Sequence, residues 1–244
     1  MLDIIGDIHG TFTELITLIE KLGYVLCKDN LYRHPEGRKP VFVGDLISRG
    51  FDSLAVLFLV RDMIRNNLCL SVIGNHEDKV LRWAKGNKVI LKNGDENTAW
   101  EINNSNTITK EEIVDFFSSL PYFLLLDGGK LIVSHASYKP LQGVADNFDK
   151  KYRTWSLYGP CERENLPDGR PNRIDWAAQR IANESSQIII CGHQPFHEVR
   201  ITNKVYQIDT GCVFGGKLTA VKYPSMEIVQ VPAQKKYATN VGWE

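Results

Sequence analysis

The chain has 244 residues, 43% of them hydrophobic and 24% charged, which is enough to build one sizeable core and leaves no compositional reason to expect disorder. Its 29 basic and 29 acidic side chains cancel, which argues against a protein that grips long duplex nucleic acid by neutralising phosphates, but not against a small phosphorylated substrate. No run approaches the roughly 20 apolar residues of a membrane-spanning helix, the start "MLDIIGDIHG" lacks a basic targeting region, and five scattered cysteines without a Cys-x-x-Cys pair read as free thiols, so a cytoplasmic setting is expected.

"LDII" is the first of several short runs rich in Val, Ile and Leu, and it ends at Gly6-Asp7. Residues 11–22 place Leu15, Leu18, Ile19 and Leu22 at helical spacing. "KPVFV" follows and ends at Gly44-Asp45; a second helical pattern covers Ser53 to Arg65, with Asp52 or Ser53 placed to cap it. "LCLSVI" then ends at Gly74-Asn75, and strand–helix–strand–helix–strand is the pattern of an α/β layer structure. A helix is predicted to continue out of "GNHED" through 79–85. Residues 93–109, with "NGDEN" and "NNSNT", read as a loop or weakly ordered cap. Thr109 and Glu112 form a capping box that opens a helix stopping before Pro121. "KLIVS" ends at His135, residues 159–172 read as loop, 175–184 as helix, and "QIIIC" ends at Gly192-His193. The last part, 204–231, alternates like strands, with a turn at Gly215-Gly216, and the residues after Pro232 read as a loose end.

Each apolar run therefore ends in a polar cluster. Loops beyond the carboxyl ends of strands converge on a crevice, so Asp7, His9, Asp45, Asn75, His76, His135 and His193 can meet there although they are distant in the chain. Carboxylates, imidazoles and an amide suit Mn²⁺, Zn²⁺ or Fe²⁺ better than an all-oxygen magnesium cage. A lone Asp-x-His means little. Four of the six histidines at or just after the ends of apolar runs, three of them next to or near a glycine, mean more, whereas His34 and His197 lack that placement and read as surface residues.

"GDIHG" at Gly6–Gly10, "GDLISRG" at Gly44–Gly50, "GNHE" at Gly74–Glu77, "SHA" at Ser134–Ala136 and "GHQP" at Gly192–Pro195 resemble the calcineurin-like metallophosphoesterases. "RIDWA" from Arg173 and "IDTGCVFGGKLTAVKYP" from Ile208 narrow the resemblance to the bacterial PrpE-type symmetrical bis(5′-nucleosyl)-tetraphosphatases, with the phosphatase domain of bacterial polynucleotide kinase–phosphatase as a near relative. The likeness covers nearly the whole chain. It implies one domain over 1–244, an α/β sandwich of two mixed sheets flanked by helices, a helical or loop cap at about 78–125, and a dinuclear metal site at the strand ends.

Position by position, the resemblance implies Asp7, His9 and Asp45 as ligands of one divalent ion, and Asp45, Asn75, His135 and His193 as ligands of a second. Mn²⁺ is the expected metal, with Co²⁺, Ni²⁺, Fe²⁺ or Zn²⁺ as alternatives. Pro195 stands where many relatives carry a further histidine, and Asp209 is the expected replacement ligand; its other reading is an Asx turn before Gly211. The implied reaction is in-line attack on phosphorus by a hydroxide held between the metals. His76 is implied as the group that protonates the leaving oxygen, and Arg49 as a clamp on phosphoryl oxygens. Arg173 is either a second phosphate clamp or a loop arginine, paired with Asp175 or solvated.

One departure stands out. Relatives carry an aspartate before the arginine of "GDxxDRG", where it contacts the histidine; here that position is Ser48. A hydroxyl can orient an imidazole but cannot stabilise its cation by charge, so Ser48 is expected to replace the acid only in part, unless another acid from the middle segment fills the role. The expected activity is symmetrical hydrolysis of diadenosine tetraphosphate to two ADP. The alternatives are a broader phosphomonoesterase acting on phosphoproteins or nucleic-acid ends, and a nucleotide-binding protein of weak activity.

Overall fold

The apolar runs do become strands. In chain order the elements are β1 (Leu2–Ile5), α1 (Phe12–Lys21), the short pair β2 (Val25–Leu26) and β3 (Tyr32–Arg33), β4 (Lys39–Phe42), α2 (Ser53–Arg65), β5 (Leu70–Ser71), α3 (Asn75–Ala84), α4 (Asp95–Asn104), α5 (Lys110–Ser118), β6 (Phe123–Leu126), β7 (Leu131–Ser134), α6 (Arg153–Tyr158), α7 (Trp176–Gln179), β8 (Ile188–Cys191), β9 (Arg200–Thr202), β10 (Val205–Gln207), β11 (Lys217–Tyr223) and β12 (Glu227–Pro232). The computed structural model describes residues 1–139, 146–180 and 186–239.

Two five-stranded mixed sheets form, in the orders β12-β11-β1-β4-β5 and β6-β7-β8-β10-β9. In the first, β1, β4 and β5 run parallel and β11 is antiparallel to β1; in the second, β7, β8 and β10 run parallel between antiparallel edges. Side-chain alternation then sorts the core. Ile4, Val41 and Val221 from one sheet meet Leu131, Val133 and Ile190 from the other. Their neighbours Ile5, Phe42 and Ala220 face the opposite way and pack under the helices with Leu15, Leu18, Leu57 and Phe117. Ile132, Ile189 and Val205 form the outer face of the second sheet with Ala177 and Trp176. The fold is thus the expected α/β sandwich of two mixed sheets with flanking helices.

The helices follow their sequence signals with instructive exceptions. In α2 the core face is taken by Val56, Leu57, Val60 and Met63. Asp52 precedes that helix without a capping bond, and the Ser53 hydroxyl instead accepts the Ser48 N–H at 2.9 Å. The Thr109/Glu112 capping box is present in both directions. Helix α3 runs out of "GNHED" as expected and starts at Asn75, so "GNHE" is itself a helix N-terminus.

The clearest correction is α4. Residues 95–104 form a helix where a loop or weakly ordered cap was expected, because "DENTAWEINN" buries only Asp95, Thr98, Ala99 and Ile102 and so shows almost no apolar stripe. Helix α7 is shorter than expected, and residues 181–184 of that expectation lie outside the described residues. Residues 233–239 are docked, not loose: Gln234 N–H and the Tyr237 hydroxyl donate to Glu14, and Tyr237 and Ala238 N–H donate to the Val213 carbonyl; the rest of that expectation, 240–244, lies outside the described residues. His34 is half-buried, its Nε2–H donating to the Leu22 carbonyl, rather than a free surface residue. Among the described residues no helix is long and apolar enough to cross a membrane.

Candidate active site

Six strands deliver the candidate residues at one edge of the sandwich. Asp7 and His9 follow β1, Asp45 follows β4, Asn75 and His76 follow β5, His135 follows β7, His193 follows β8, and Asp209 follows β10. His9, Asp45 and His193 have φ of 51°, 48° and 71°. Such left-handed backbone in non-glycine residues is costly and tends to persist where a site needs it.

Asp45 lies at the centre. Its Oδ2 is 3.5 Å from His9 Nε2 and 3.4 Å from His135 Nε2, and its Oδ1 accepts the His76 N–H at 3.0 Å. Carbonyl partners set the tautomers, because a carbonyl can only accept. His9 Nδ1–H donates to Ile47 at 3.1 Å and His135 Nδ1–H to Val43 at 3.0 Å, so each turns an Nε2 lone pair inward. His135 Nε2 also faces Asn75 Oδ1 at 2.9 Å and His193 Nδ1 at 3.1 Å. Potential donor atoms of His9, Asp45 and His76, and of Asp45, His135 and His193, lie within 4.8 Å of one another.

Asp7 and Asp209 stand outside those two tight groups. Asp7 accepts the His193 N–H through both oxygens, at 3.0 and 3.2 Å. A Cβ on Gly192 would lie 1.8 Å from Asp7 Oδ1, so only glycine lets the two loops approach this closely. Asp209 makes the Asx contact, accepting Gly211 N–H at 2.9 Å, and also lines the same cavity as His9 and Asp45. The turn contact is therefore formed, and it leaves the side chain at the cavity where the expected ligand would stand.

Electrostatics call for positive charge here. Burial, then Asp209 and Asp45, raise the Asp7 pKa well above the usual carboxylate range. Burial pushes Glu77 to about 7, with Asp45 adding to it, and pushes Asp209 to about 6 against the Gly211 amide. Burial would raise Asp45 as well, but His135, His76 and His9 hold it well below the usual range. Burial, opposed by Asp45, takes His9 down to about 3; burial and His135 hold His193 well below its ordinary value. His135 is raised instead, because Asp45 outweighs its burial. A proton on His135 stands where lone pairs of Asp45, Asn75 and His193 converge, and a cation would answer the same convergence. His193 Nε2 is buried with no hydrogen-bond partner. These donors fit divalent ions of the imidazole-accepting kind.

Around them is a cavity of about 430 Å³ whose lining includes Arg49, Arg173, His76 and Phe214 as well as His9, Asp45, Asn75, His193 and Asp209. Arg49 follows Ser48 in a pair of left-handed residues, stacks its guanidinium 5.2 Å from the Phe214 ring centre, and leaves Nε without a hydrogen-bond partner. Arg173 donates to the Tyr158 carbonyl at 2.5 Å, and Asp175 pairs with Arg200 instead, so the expected Arg173–Asp175 alternative is not what forms.

His76 corrects the reading of Ser48. Its Nδ1 lies 2.5 Å from Asp95 Oδ1, on the unexpected helix α4. Ser48 turns its hydroxyl to Thr98 Oγ1 at 3.3 Å, so it is not the group that stands in for the acid. Glu77 is a second residue the sequence reading passed over. It accepts four backbone N–H groups of the loops around Asp45 and Gly74, and its place in "GNHE" was the available signal.

Residues 2–229 match the calcineurin-like phosphoesterase family. A relative from Anoxybacillus flavithermus named bis(5′-nucleosyl)-tetraphosphatase PrpE [asymmetrical] is 41% identical, covering 96% of this chain and 95% of its own. The protein of the same name from Bacillus subtilis (strain 168) is 39% identical, covering 96% of each. Among solved structures, a protein provisionally assigned as a diadenosine tetraphosphatase superposes with a TM-score of 0.65 at 24% identity, over 95% of this chain and 93% of its own. A serine/threonine phosphatase from Saccharomyces cerevisiae gives 0.62 at 16%, over 96% and 79%. With the site's geometry in place and the match running from β1 into β12, the chain belongs to the calcineurin-like phosphoesterase family.

Proposed function

We propose that this phosphoesterase hydrolyses dinucleoside tetraphosphates, using two divalent cations held by Asp7, His9, Asp45, Asn75, His135, His193 and Asp209. The observation that carries the phosphoryl chemistry is the convergence of imidazole and carboxylate lone pairs on Asp45, with Arg49, Arg170 and Arg173 lining the same cavity. Members of the family use divalent metal ions. When bound, these supply a nucleophilic water at neutral pH and neutralise phosphoryl charge.

The chain's own groups do the rest. Arg49, which lines the cavity, binds non-bridging phosphoryl oxygens; Arg173 holds a neighbouring phosphate. His76, whose Nδ1 is occupied by Asp95, offers Nε2 to the oxygen that leaves. A second cavity of about 490 Å³, lined by Asn93, Asn97, Lys236 and Tyr237, meets the first at Arg49, which gives a two-ended substrate room on both sides of that residue.

The names of the relatives support the dinucleotide and bear on where it is cut. Symmetrical cleavage to two ADP was the expectation from sequence, whereas the relatives at 41% and 39% identity carry the asymmetrical designation. That designation favours AMP and ATP as the products here. Chromatography of products from diadenosine tetraphosphate, run beside p-nitrophenyl phosphate, a phosphopeptide and a 3′-phosphorylated oligonucleotide, tests both points. AMP plus ATP with the dinucleotide as best substrate is the expected result. ADP alone would restore symmetrical cleavage, and preference for the peptide or oligonucleotide would make the protein a phosphomonoesterase.

A further inference from the structure

His76 is held by an acid that neighbours it only in space. Asp95 Oδ1 lies 2.5 Å from His76 Nδ1, and Asp95 Oδ2 lies 2.7 Å from Lys79 Nζ. The Asp95 side chain is wholly buried. It is the first residue of α4, but it does not cap that helix; Gly94 precedes it and no side-chain capping bond forms. Both of its oxygens are given to α3.

We propose that Asp95 is the positioning residue for His76, and that it does from α4 what an acid at position 48 would do from the β4 loop. It holds the ring as the Nδ1–H tautomer and aims Nε2 at the leaving oxygen, while Lys79 fixes the carboxylate's other oxygen. The proposal rests on the reading of His76 as the group that protonates the leaving oxygen.

The backbone explains how α4 reaches the site. Gly94 has φ of 89°, and a Cβ there would lie 2.0 Å from the Arg49 nitrogen, so the helix start is pressed onto the Ser48–Arg49 turn. Only a residue without a side chain permits that approach. Docked this way, Asp95 stands above the first turn of α3, and Lys79, three residues after His76, closes the arrangement from the same helix.

Ser48 shows the other half of the exchange. Its hydroxyl meets Thr98 Oγ1 at 3.3 Å, Thr98 donates to Ser53 Oγ at 3.2 Å, and Ser53 Oγ accepts the Ser48 N–H. Position 48 has thus become part of a buried hydroxyl cluster on which α4 sits. A carboxylate there would add a second buried negative charge beside the first. Burying an unpaired charge is expensive, so an acid at one position disfavours an acid at the other.

Steady-state kinetics of the Mn²⁺-loaded protein test this with an alkyl phosphomonoester and p-nitrophenyl phosphate. Proton donation matters most when the leaving oxygen is basic, so Asp95→Asn should lose about 10²-fold on the alkyl ester and only a few-fold on the aryl ester. His76→Ala should show the same split, and D95N should cost nothing further in the H76A background. Nitrogen-15 NMR of the parent should show the proton on His76 Nδ1, strongly downfield, and D95N should lose that resonance. Equal losses on both esters, or additive losses with H76A, would make Asp95 a structural residue only. A parent proton on Nε2 instead of Nδ1 would overturn the proposal whether or not any variant folds. If H76A itself shows no split, the proton-donor reading of His76 fails, and the positioning role fails with it.

Discussion

Replacing Glu77 by glutamine should cost both stability and metal affinity, because one buried carboxylate organises two loops. Glu77 Oε2 accepts the N–H of Asp45 at 2.8 Å and of Gly74 at 2.9 Å, and Oε1 accepts those of Leu46 at 2.9 Å and Ile47 at 3.2 Å. Its side chain is fully buried. Glutamine has the same shape but only one accepting oxygen; its NH₂ would face two N–H donors. Two hydrogen bonds to a charged acceptor are worth about 1.5–3 kcal/mol each. Burial and Asp45 raise the Glu77 pKa to about 7, so the charge already costs something, and the lower end, about 3 kcal/mol, applies. For a chain of this length each kcal/mol moves Tm by about 2–4 °C, which gives a drop of about 6–12 °C. Asp45, held left-handed at φ 48° by this carboxylate, should shift, and Mn²⁺ should bind E77Q more weakly. Thermal unfolding of the metal-free protein and Mn²⁺ calorimetry provide the measurements. A Tm within about 2 °C of the parent, together with unchanged Mn²⁺ affinity, would refute the reasoning.

Three more outcomes are expected. Protein stripped of metal by a chelator should be inactive and recover with Mn²⁺, Co²⁺ or Ni²⁺ before Mg²⁺, with metal analysis giving two ions per chain; a single ion would end the dinuclear reading. Asp209→Ala should weaken one of the two sites in a Mn²⁺ titration, and unchanged stoichiometry and affinity would leave Asp209 only its turn with Gly211. Asp209→Asn should separate charge from packing. A folded pKa raised to about 6 means that the stability Asp209 contributes is full below the ordinary carboxylate range and is lost as pH rises through 6. Metal-free D209N should therefore match the parent in Tm near pH 4, exceed it near pH 8, and fall below it once Mn²⁺ is added.

The fold and most of the candidate site were legible because they are local. A run such as "LDII" or "QIIIC" needs no distant information to declare a buried strand, and a polar residue just after it inherits a position at the strand end. That is why Asp7, His9, Asp45, Asn75, His135, His193 and Asp209 come to one edge of the sandwich as expected. What stayed hidden depends on contacts that sequence order does not encode. Helix α4 buries so few apolar side chains that its periodicity is lost among polar ones; its place is set by Gly94 against Arg49. Residues 233–239 carry no strand or helix signal, yet Glu14 and Val213 hold them.

Ser48 shows why a missing residue is harder to interpret than a present one. From sequence, a hydroxyl in the acid's position reads as a weakened site, and that reading follows if each function belongs to one position. In the folded chain the requirement belongs to the imidazole instead: His76 Nδ1 needs a buried acceptor, and any element that can place a carboxylate there will meet it. Helix α4 can do so because its glycine lets it lie on the very turn that carries Ser48. The serine is then the smaller partner that the docking requires, with its hydroxyl satisfied by Thr98 of the same helix. The two positions are coupled through that contact, so restoring an acid at 48 without removing Asp95 should harm the protein. Ser48→Asp alone is expected to lower Tm by forcing a second carboxylate into the hydroxyl cluster, and to give no gain on an alkyl phosphomonoester. A Tm at or above the parent's with improved alkyl activity would mean that the acid at 95 had never taken over, and that position 48 was still the one that mattered.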